Sequence, residues 1–217
     1  MSRRILIGVV CLLAVNVGRV DGQNMSAPPG WRWSLDRGGA NRAAADSSHS
    51  FSQMPPGWHV TTGPAGLLYP TAEQASGVFT LVADFVVFPE TTSSGFGIFL
   101  DGADIEGNAP TYVAALLRRD GALSVVRRTA GSETVLVPWT HHSAIKSNPG
   151  TGTVTNRLRV NASADSLRVF VNDSAIARIA VKYNAQPGHF GFRVGEGVNL
   201  HVTILDYIRH LAPPRTR

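Results

Sequence analysis

The feature that most constrains the fold is a pair of β-compatible runs on either side of Asp120-Gly121. Residues 111–118 and 122–128 are rich in Val, Leu and Ala, and Asp-Gly is a dipeptide that a tight type I′ turn prefers. The sequence therefore predicts a β-hairpin at this point. The same pattern recurs in residues 156–171, closed by Asn172-Asp173, and in residues 189–208, so the body of the chain is a succession of antiparallel strands.

Turn-forming residues divide the rest of the chain into short strands in the same way. The predicted strands span residues 58–62, 66–69, 77–88, 95–100, 111–118, 122–128, 134–138, 156–162, 166–172, 176–181, 189–194 and 199–206. Because βαβ spacing is absent, the expected fold class is all-β, a two-sheet antiparallel jelly-roll sandwich. Only residues 139–146 are compatible with a short helix, as a crossover between strands.

The N-terminus has the pattern of a secretory signal. Arg3 and Arg4 precede an apolar run over residues 5–17, and small residues follow before Gln23, so we expect residues 1–22 to be removed. The apolar run is shorter than the roughly 20 residues that span a bilayer. The sequence thus predicts a secreted or periplasmic chain without stable membrane insertion after cleavage.

Cysteine and charge limit the function classes further. Cys11 lies inside the predicted signal, so the remaining 195 residues have no cysteine and no disulfide framework. Loss of Arg3, Arg4, Arg19 and Asp21 with the signal lowers the net charge from +5 to +3, because three cations and one anion leave. The remaining cations are spread along the chain instead of forming a run, which argues against nucleic-acid binding.

The composition also divides the chain into segments. Residues 23–55 are rich in Ser, Ala, Gly and Asn and lack apolar periodicity, which predicts a partly ordered leader. The β-sandwich domain is expected over residues 56–210, and residues 211–217 form a tail.

Three carboxylates cluster between two predicted strands. They are Asp101, Asp104 and Glu106; Gly102 and Gly107 bracket the last two in a pattern that favours a surface turn. Two carboxylates that flank a glycosidic bond are the groups that glycoside hydrolysis requires. Several carboxylates with loop carbonyls are also the ligands that calcium prefers. The three residues are therefore candidates for catalysis or for a structural calcium; no other cofactor is expected.

Aromatic and bidentate polar side chains are the groups with which a sheet surface recognises sugars. The candidate ligand-binding residues are Tyr112, Arg118, Trp139, Arg193, Asn199 and His201, with Trp58, His59 and Arg128 as further candidates. Tyr112 and Arg118 are an even number of residues apart and are expected to share one face of their strand. Arg193, Asn199 and His201 are expected to meet them from a neighbouring strand. Alternatively, the tryptophans are core residues and the arginines shield the sheet edges.

Several strand motifs carry a resemblance to a known family. They include Phe-x-Leu at 79–81, Val-Asn at 171–172 and Gly-x-Phe-Gly-Phe at 188–192, together with residues 57–60, 94–99, 156–160 and 202–206. From residue 58 to residue 206 the chain resembles the concanavalin A-like lectin/glucanase superfamily, and most closely its secreted bacterial branch of 3-keto-disaccharide hydrolase-like domains. The resemblance implies a concanavalin A-like sandwich and a carbohydrate ligand.

Three hypotheses for function follow. The first is a secreted or periplasmic module that binds carbohydrate without cleaving it. The second is a glycoside hydrolase of the 3-keto-disaccharide type, with the three clustered carboxylates as its catalytic candidates. The third is a structural module of the cell envelope that binds protein partners and no sugar. No complete catalytic motif is present in the sequence, which favours the first.

Overall fold

The computed structural model describes residues 26–36, 49–89, 93–148, 150–181 and 186–210. These residues form strands, turns and loops, and none of them is helical. In chain order the strands are β1 (Trp31–Leu35), β2 (Ser50–Gln53), β3 (Trp58–Thr61), β4 (Gly66–Pro70), β5 (Val78–Val87), β6 (Phe96–Ala103), β7 (Thr111–Leu117), β8 (Ala122–Thr129), β9 (Ser132–His141), β10 (Val154–Ala162), β11 (Ser166–Val171), β12 (Ser174–Ala180), β13 (His189–Val194), β14 (Asn199–Val202) and β15 (Asp206–His210). The predicted all-β class is confirmed.

The strands form two antiparallel sheets that pack face to face as a jelly-roll sandwich. The seven-stranded sheet has the order β1-β4-β13-β6-β7-β8-β9. The eight-stranded sheet has the order β12-β11-β10-β5-β14-β3-β2, and β15 also pairs with β5. Strands distant in sequence are neighbours in both sheets, so local pattern alone does not reveal the order.

The core lies between the two sheets and follows from strand alternation. On β10, Leu158 and Val160 are fully buried, whereas Arg157 and Asn161 lie on the outer side. Strand β5 pairs with β10 along nearly its whole length and contributes Leu81 and Phe85 to the same core. Burial of these apolar side chains is the main stabilising contribution in a domain whose described part has no disulfide.

The β7–β8 hairpin forms where the sequence predicts it, but with a different turn. Gly121 has a φ of +89°, whereas Asp120 is not among the residues with positive φ, so the predicted type I′ turn is wrong. Instead, the Gly121 amide donates to the Arg118 carbonyl and the Arg118 amide to the Ala122 carbonyl. This is the three-residue loop in which a left-handed glycine closes a bulge. Arg119 holds the loop, because its guanidinium donates to four backbone carbonyls at Val87, Phe88, Gly150 and Gly152.

Two predicted elements are corrected by the structure. The segment 139–146, predicted as a possible helix, continues β9 as far as His141 and then turns through a hydrogen bond from the Ile145 amide to the His142 carbonyl. The segment 199–206, predicted as one strand, is divided into β14 and β15. At the break, the Thr203 hydroxyl accepts from the Asp84 amide and the Thr203 amide donates to the Asp84 carbonyl. The two strands therefore pair with different halves of β5.

The sandwich begins earlier than residue 56. Strands β1 and β2 lie within residues 23–55, the segment predicted as a leader, and each is an edge strand of one sheet. Trp33 and Phe51 from these strands are buried in the core. The predicted signal over residues 1–22 and the tail over 211–217 lie outside the described residues. In the part that is described, no helix is long and apolar enough to cross a membrane.

Candidate functional site

The outer face of the seven-stranded sheet is concave. Asp36 directly follows edge strand β1, and Arg128 lies on β8, so five strand spacings separate them, or about 24 Å in a flat sheet. The two side chains nevertheless approach to 3.6 Å across the outer face. Such a contact requires the sheet to curl toward this face, which we call the concave face.

A second buried cluster lies on the concave face, separate from the main core. Its largest members are Tyr69, Phe99 and Tyr112, whose rings contact one another edge to face. Ile105, from the loop that joins β6 to β7, packs on the same cluster. The Ser34 hydroxyl on β1 donates to the Ile105 carbonyl at 2.9 Å and so holds this loop against the sheet.

A cavity of about 320 Å³ opens at the end of the concave face where this loop meets the sheet. Its lining residues come from four elements that are consecutive in the sheet order, namely β1, β4, β13 and the loop after β6. They are Arg32, Tyr69, Thr71, Asp104, Ile105, Glu106, Gly107 and His189. The volume suits a ligand of the size of one sugar residue, since small-molecule sites begin at roughly 300 Å³.

Glu106 is the centre of the polar network in this cavity. Its Oε1 atom accepts from Arg32 at 2.6 Å and from the Tyr69 hydroxyl at 2.5 Å. The hydrogen bond and the charge of Glu106 raise the pKa of Arg32. Burial, followed by the hydrogen bond to Glu106, raises the pKa of Tyr69 far above its ordinary value. The phenol therefore stays protonated and donates its hydrogen bond to Glu106.

His189 forms the other wall of the cavity. Its ring lies 5.2 Å from the ring of Tyr69, centroid to centroid. Its Nε2 atom is 3.2 Å from the Gln74 amide nitrogen, and its buried Nδ1 atom has no hydrogen-bond partner within the described residues. The His189 ring thus lines the same space as the Arg32–Glu106 ion pair.

The three predicted carboxylates take different roles in the loop. Asp104 Oδ2 accepts from the Ala109 amide at 2.9 Å, and a Cβ at Gly107 would stand 1.8 Å from Oδ1 of the same carboxylate. Only glycine allows that close approach. Asp101, with a φ of 57°, lies inside β6 where its pairing with β7 shifts register, and Asp104, with a φ of 51°, lies directly after the strand.

Two functions were predicted for these carboxylates, catalysis and calcium binding. Within the described ranges, no three His, Cys, Asp or Glu side chains are gathered as a group that would hold a metal ion. Asp104 and Glu106 do line one cavity, but each is bonded to groups of the protein. Calcium binding and catalysis by these carboxylates stay predictions.

The predicted ligand-binding residues Tyr112, Arg118 and Trp139 share the concave face, as the even spacing predicts for the first two. Tyr112 is only 2% exposed and serves the second cluster, so it offers no ring surface for stacking. Arg118 lies 4.5 Å above the ring of Trp139 and pairs with Asp120 at 2.5 Å. Trp139 is 39% exposed, but the guanidinium of Arg118 covers one of its faces.

Arg193 also lies on the concave face, where it serves the fold. Its guanidinium donates to Asp36 at 2.5 Å and to the carbonyls of Gly66 and Val194. Arg128 lies on the other side of the same carboxylate. Asp36 therefore links the edge strand to the two arginines across the concave face.

The remaining predicted residues lie on the other sheet. Asn199 and His201 are on β14 of the eight-stranded sheet, opposite Thr61 and His59 of β3. The expectation that they meet Tyr112 and Arg118 from a neighbouring strand is wrong, because β7 and β14 belong to different sheets. Burial, opposed by a hydrogen bond to the Pro56 backbone, lowers the pKa of His201.

The sequence reasoning missed the residues that build the cavity walls, chiefly Arg32, Tyr69 and His189. Arg32 fell in the segment predicted as a leader, although the alternation Trp31-Arg32-Trp33 is itself a strand signal. Tyr69 and His189 fell in correctly predicted strands. Which strands lie side by side could not be derived from their separate patterns.

Comparisons with known proteins agree with the fold. No family model and no curated protein sequence matches the chain. Among solved structures, it is similar to the carbohydrate-binding module CBM66 from Bacillus subtilis, with a TM-score of 0.59 and 12% identity over 82% of this chain and 95% of that one. It is also similar to a protein of unknown function with a galectin-like fold from Bacillus subtilis, with a TM-score of 0.59 and 9% identity over 83% of this chain and 89% of that one.

A third similar structure is the GH43 protein BlXynB from Bacillus licheniformis, with a TM-score of 0.57 and 10% identity over 87% of this chain. The match covers 38% of that protein, so the comparison concerns one part of it. At these identities the similarity is one of fold. The chain is thus an all-β jelly-roll sandwich with the architecture of a carbohydrate-binding module and of galectin-like and GH43 proteins.

Proposed function

We propose that this protein binds carbohydrate and that the cavity beside Glu106 holds one sugar residue. The observation that carries the proposal is the convergence of Arg32, Tyr69, Glu106 and His189 from four adjacent elements on one cavity. Sugar hydroxyls act as both donors and acceptors of hydrogen bonds. The Arg32 guanidinium can donate to one hydroxyl, and the Glu106 carboxylate can accept from its neighbour. The half-buried ring of His189 supplies an apolar wall for the sugar carbons, and Tyr69 contributes its hydroxyl group.

The similar structures support the ligand class. One of them is itself named a carbohydrate-binding module, and it aligns with most of this chain. The proposal includes the localisation expected from the sequence, a secreted or periplasmic protein. It also includes membership of the 3-keto-disaccharide hydrolase-like branch, which the sequence resembles. Membership of this branch does not by itself imply hydrolytic activity.

The first experiment is a glycan-array screen of the chain, followed by calorimetric titration of each glycan that binds. Arg32→Gln is expected to weaken binding about 10- to 100-fold, the loss of a hydrogen bond to a charged group. Arg118→Gln is the matched control, since Arg118 is also paired with a carboxylate on the concave face but lies outside the cavity.

The two variants separate the possible outcomes. Loss of binding in Arg32→Gln alone supports the cavity. Loss of glycan binding in Arg118→Gln alone would place the binding site near Trp139, one of the ligand-binding residues predicted from the sequence. Absence of binding to every glycan would overturn the proposal and leave the envelope module that binds protein partners as the better account.

Hydrolysis is the second candidate, because Asp104 and Glu106 both line the cavity. Glu106, however, already accepts hydrogen bonds from Arg32 and Tyr69 and so is occupied by the protein's own donors. We expect bound glycans to be recovered intact on product analysis. Release of product that is abolished by Glu106→Gln or Asp104→Asn would instead identify a glycoside hydrolase.

Calcium is tested in the same screen by adding a chelator. Asp104 is bonded to the loop backbone and Glu106 to Arg32 and Tyr69, so these groups hold the loop through the protein's own donors. We therefore expect the chelator to leave binding unchanged. A loss of binding that calcium restores would support the structural calcium predicted for Asp101, Asp104 and Glu106.

A further inference from the structure

The outer face of the eight-stranded sheet carries four arginines, and we call it the basic face. They are Arg157 and Arg159 on β10, Arg168 on β11 and Arg178 on β12. Each alternates with residues buried in the core; on β10, for example, Leu158 and Val160 lie between and beyond the two arginines. The basic face lies on the opposite side of the sandwich from the concave face.

Little on the basic face neutralises these charges. Arg157 pairs with Asp84 at 3.7 Å. Arg168 stands directly opposite Arg178 in the strand register, and among the described residues neither has an ion-pair partner. Like charges directly opposite each other destabilise a sheet. The fold thus tolerates an unfavourable arrangement on this surface.

Arg159 is held in place by a cation–π contact. Its guanidinium lies 4.1 Å above the ring of Phe170, which is opposite it on β11. Its buried Nε atom has no hydrogen-bond partner within the described residues. Asp206, opposite Val82 on β15, is the other carboxylate placed on this face besides Asp84. The balance of charge remains positive.

Exposed apolar side chains lie on the same face, and Ile208 is three strand spacings, or about 14 Å, from Arg168. Ile208 on β15 is 49% exposed. It lies in one row across the sheet with Thr80 on β5, Asn161 on β10 and Arg168 on β11. Val78, 45% exposed, is on the same side of β5, and Ile204, 65% exposed, is in the loop between β14 and β15. The surface therefore presents large apolar groups and cations together.

We propose that the basic face attaches the protein peripherally to a membrane surface that contains anionic lipids. Arginines near such a surface are attracted by the lipid phosphates, and exposed apolar side chains enter the boundary of the acyl chains. A soluble polyanion would account for the arginines but not for the isoleucines. Attachment through this face directs the concave face, with its cavity, away from the membrane.

The test is a partition measurement with the full chain and lipid vesicles. Vesicles of phosphatidylcholine with and without phosphatidylglycerol are compared at low salt. Arg168→Gln and Arg178→Gln are each expected to lower the partition coefficient into anionic vesicles about fivefold. Ile208→Ser is expected to lower it as well. The N-terminal apolar segment is common to all forms, so the ratio of coefficients isolates the basic face.

Two variants of the other sheet serve as controls. Arg118→Gln removes one charge from the concave face, and Val135→Ser removes an apolar side chain that is 56% exposed on β9. Both should retain the coefficient of the unmodified chain within twofold. Equal partition of all variants, or no preference for anionic vesicles, would overturn the proposal. Variant-sensitive binding to heparin without binding to vesicles would also overturn it and assign the face to a polyanion.

Discussion

The two outer faces of the sandwich arrange their charged residues in opposite ways. On the concave face, Asp36 lies between Arg193 and Arg128, and Glu106 accepts from Arg32. On the basic face, Arg168 and Arg178 stand opposite each other without a carboxylate between them. On the concave face the curl of the sheet brings side chains from distant strands into contact, as Asp36 and Arg128 show. On the basic face the opposed residues are two cations, so strand pairing itself brings like charges together.

The same difference separates apolar residues. The concave face encloses a second buried cluster under the β6–β7 loop, whereas the basic face leaves Ile208 about half exposed. A loop held by Ser34 and Arg32 covers the first face. The concave face therefore encloses a cavity between its loop and the sheet, whereas the basic face leaves its cations and apolar side chains exposed to solvent.

The largest expected effect concerns the second cluster. Tyr112→Ala should lower the free energy of unfolding by about 3–5 kcal/mol, since it removes a buried aromatic side chain and leaves a cavity. Phe170→Ala on the basic face is the control and should cost less than half as much, because Phe170 is only half-buried. Urea denaturation measures both. Equal losses would contradict the view that only the concave face has a core of its own.

The next effect is a pH dependence at the cavity. The pKa of Tyr69 is raised in the folded state by burial and by Glu106, so its contribution to stability is complete below about pH 10. Above that pH the unfolded chain loses its proton first, and stability should fall by at most about 1.4 kcal/mol per pH unit.

Tyr69→Phe should remove this part of the alkaline loss while the other tyrosines still titrate. Denaturation curves between pH 8 and pH 11 measure the difference between the two forms. An identical pH dependence in the variant would show that the phenol is not held as a protonated donor to Glu106.

The smallest effect concerns the opposed arginines. Arg168→Gln should raise the free energy of unfolding by about 0.5 kcal/mol, because it relieves repulsion from Arg178. The gain should disappear at high salt, where charges are screened. Arg157→Gln is the control and should bring no gain, since Arg157 pairs with Asp84. A loss of stability in Arg168→Gln would mean that the pair is neutralised in solution.

Strand patterns were sufficient to predict most of the fold. The limits of β13 were predicted without error, and those of β5, β7 and β11 to within a residue or so. Errors arose where tertiary contacts override local pattern. Thr203 divides the segment 199–206, predicted as one strand, by bonding to Asp84, and Arg119 supports a turn that Asp120-Gly121 alone does not specify.

The candidate site was predicted less completely. The loop with Asp104 and Glu106 was identified as a place for chemistry, and it does border the cavity. Its partners Arg32 and Tyr69 were not identified from the sequence. Strands β1 and β4 join the site only through the strand order of the folded sheet. His201 illustrates the opposite error, a plausible polar residue placed on the other sheet.

The sequence by itself determined the all-β class, the alternation of buried and exposed residues, and the position of most turns. These depend on the two-residue period of a strand and on local backbone preferences, which neighbouring residues specify. Only the tertiary structure decided which strands are neighbours, which outer face is concave, and therefore that Arg32 meets Glu106. Pairing of edge strand β1 with β4 and curvature of the sheet depend on contacts between residues far apart in the chain, which no local pattern records.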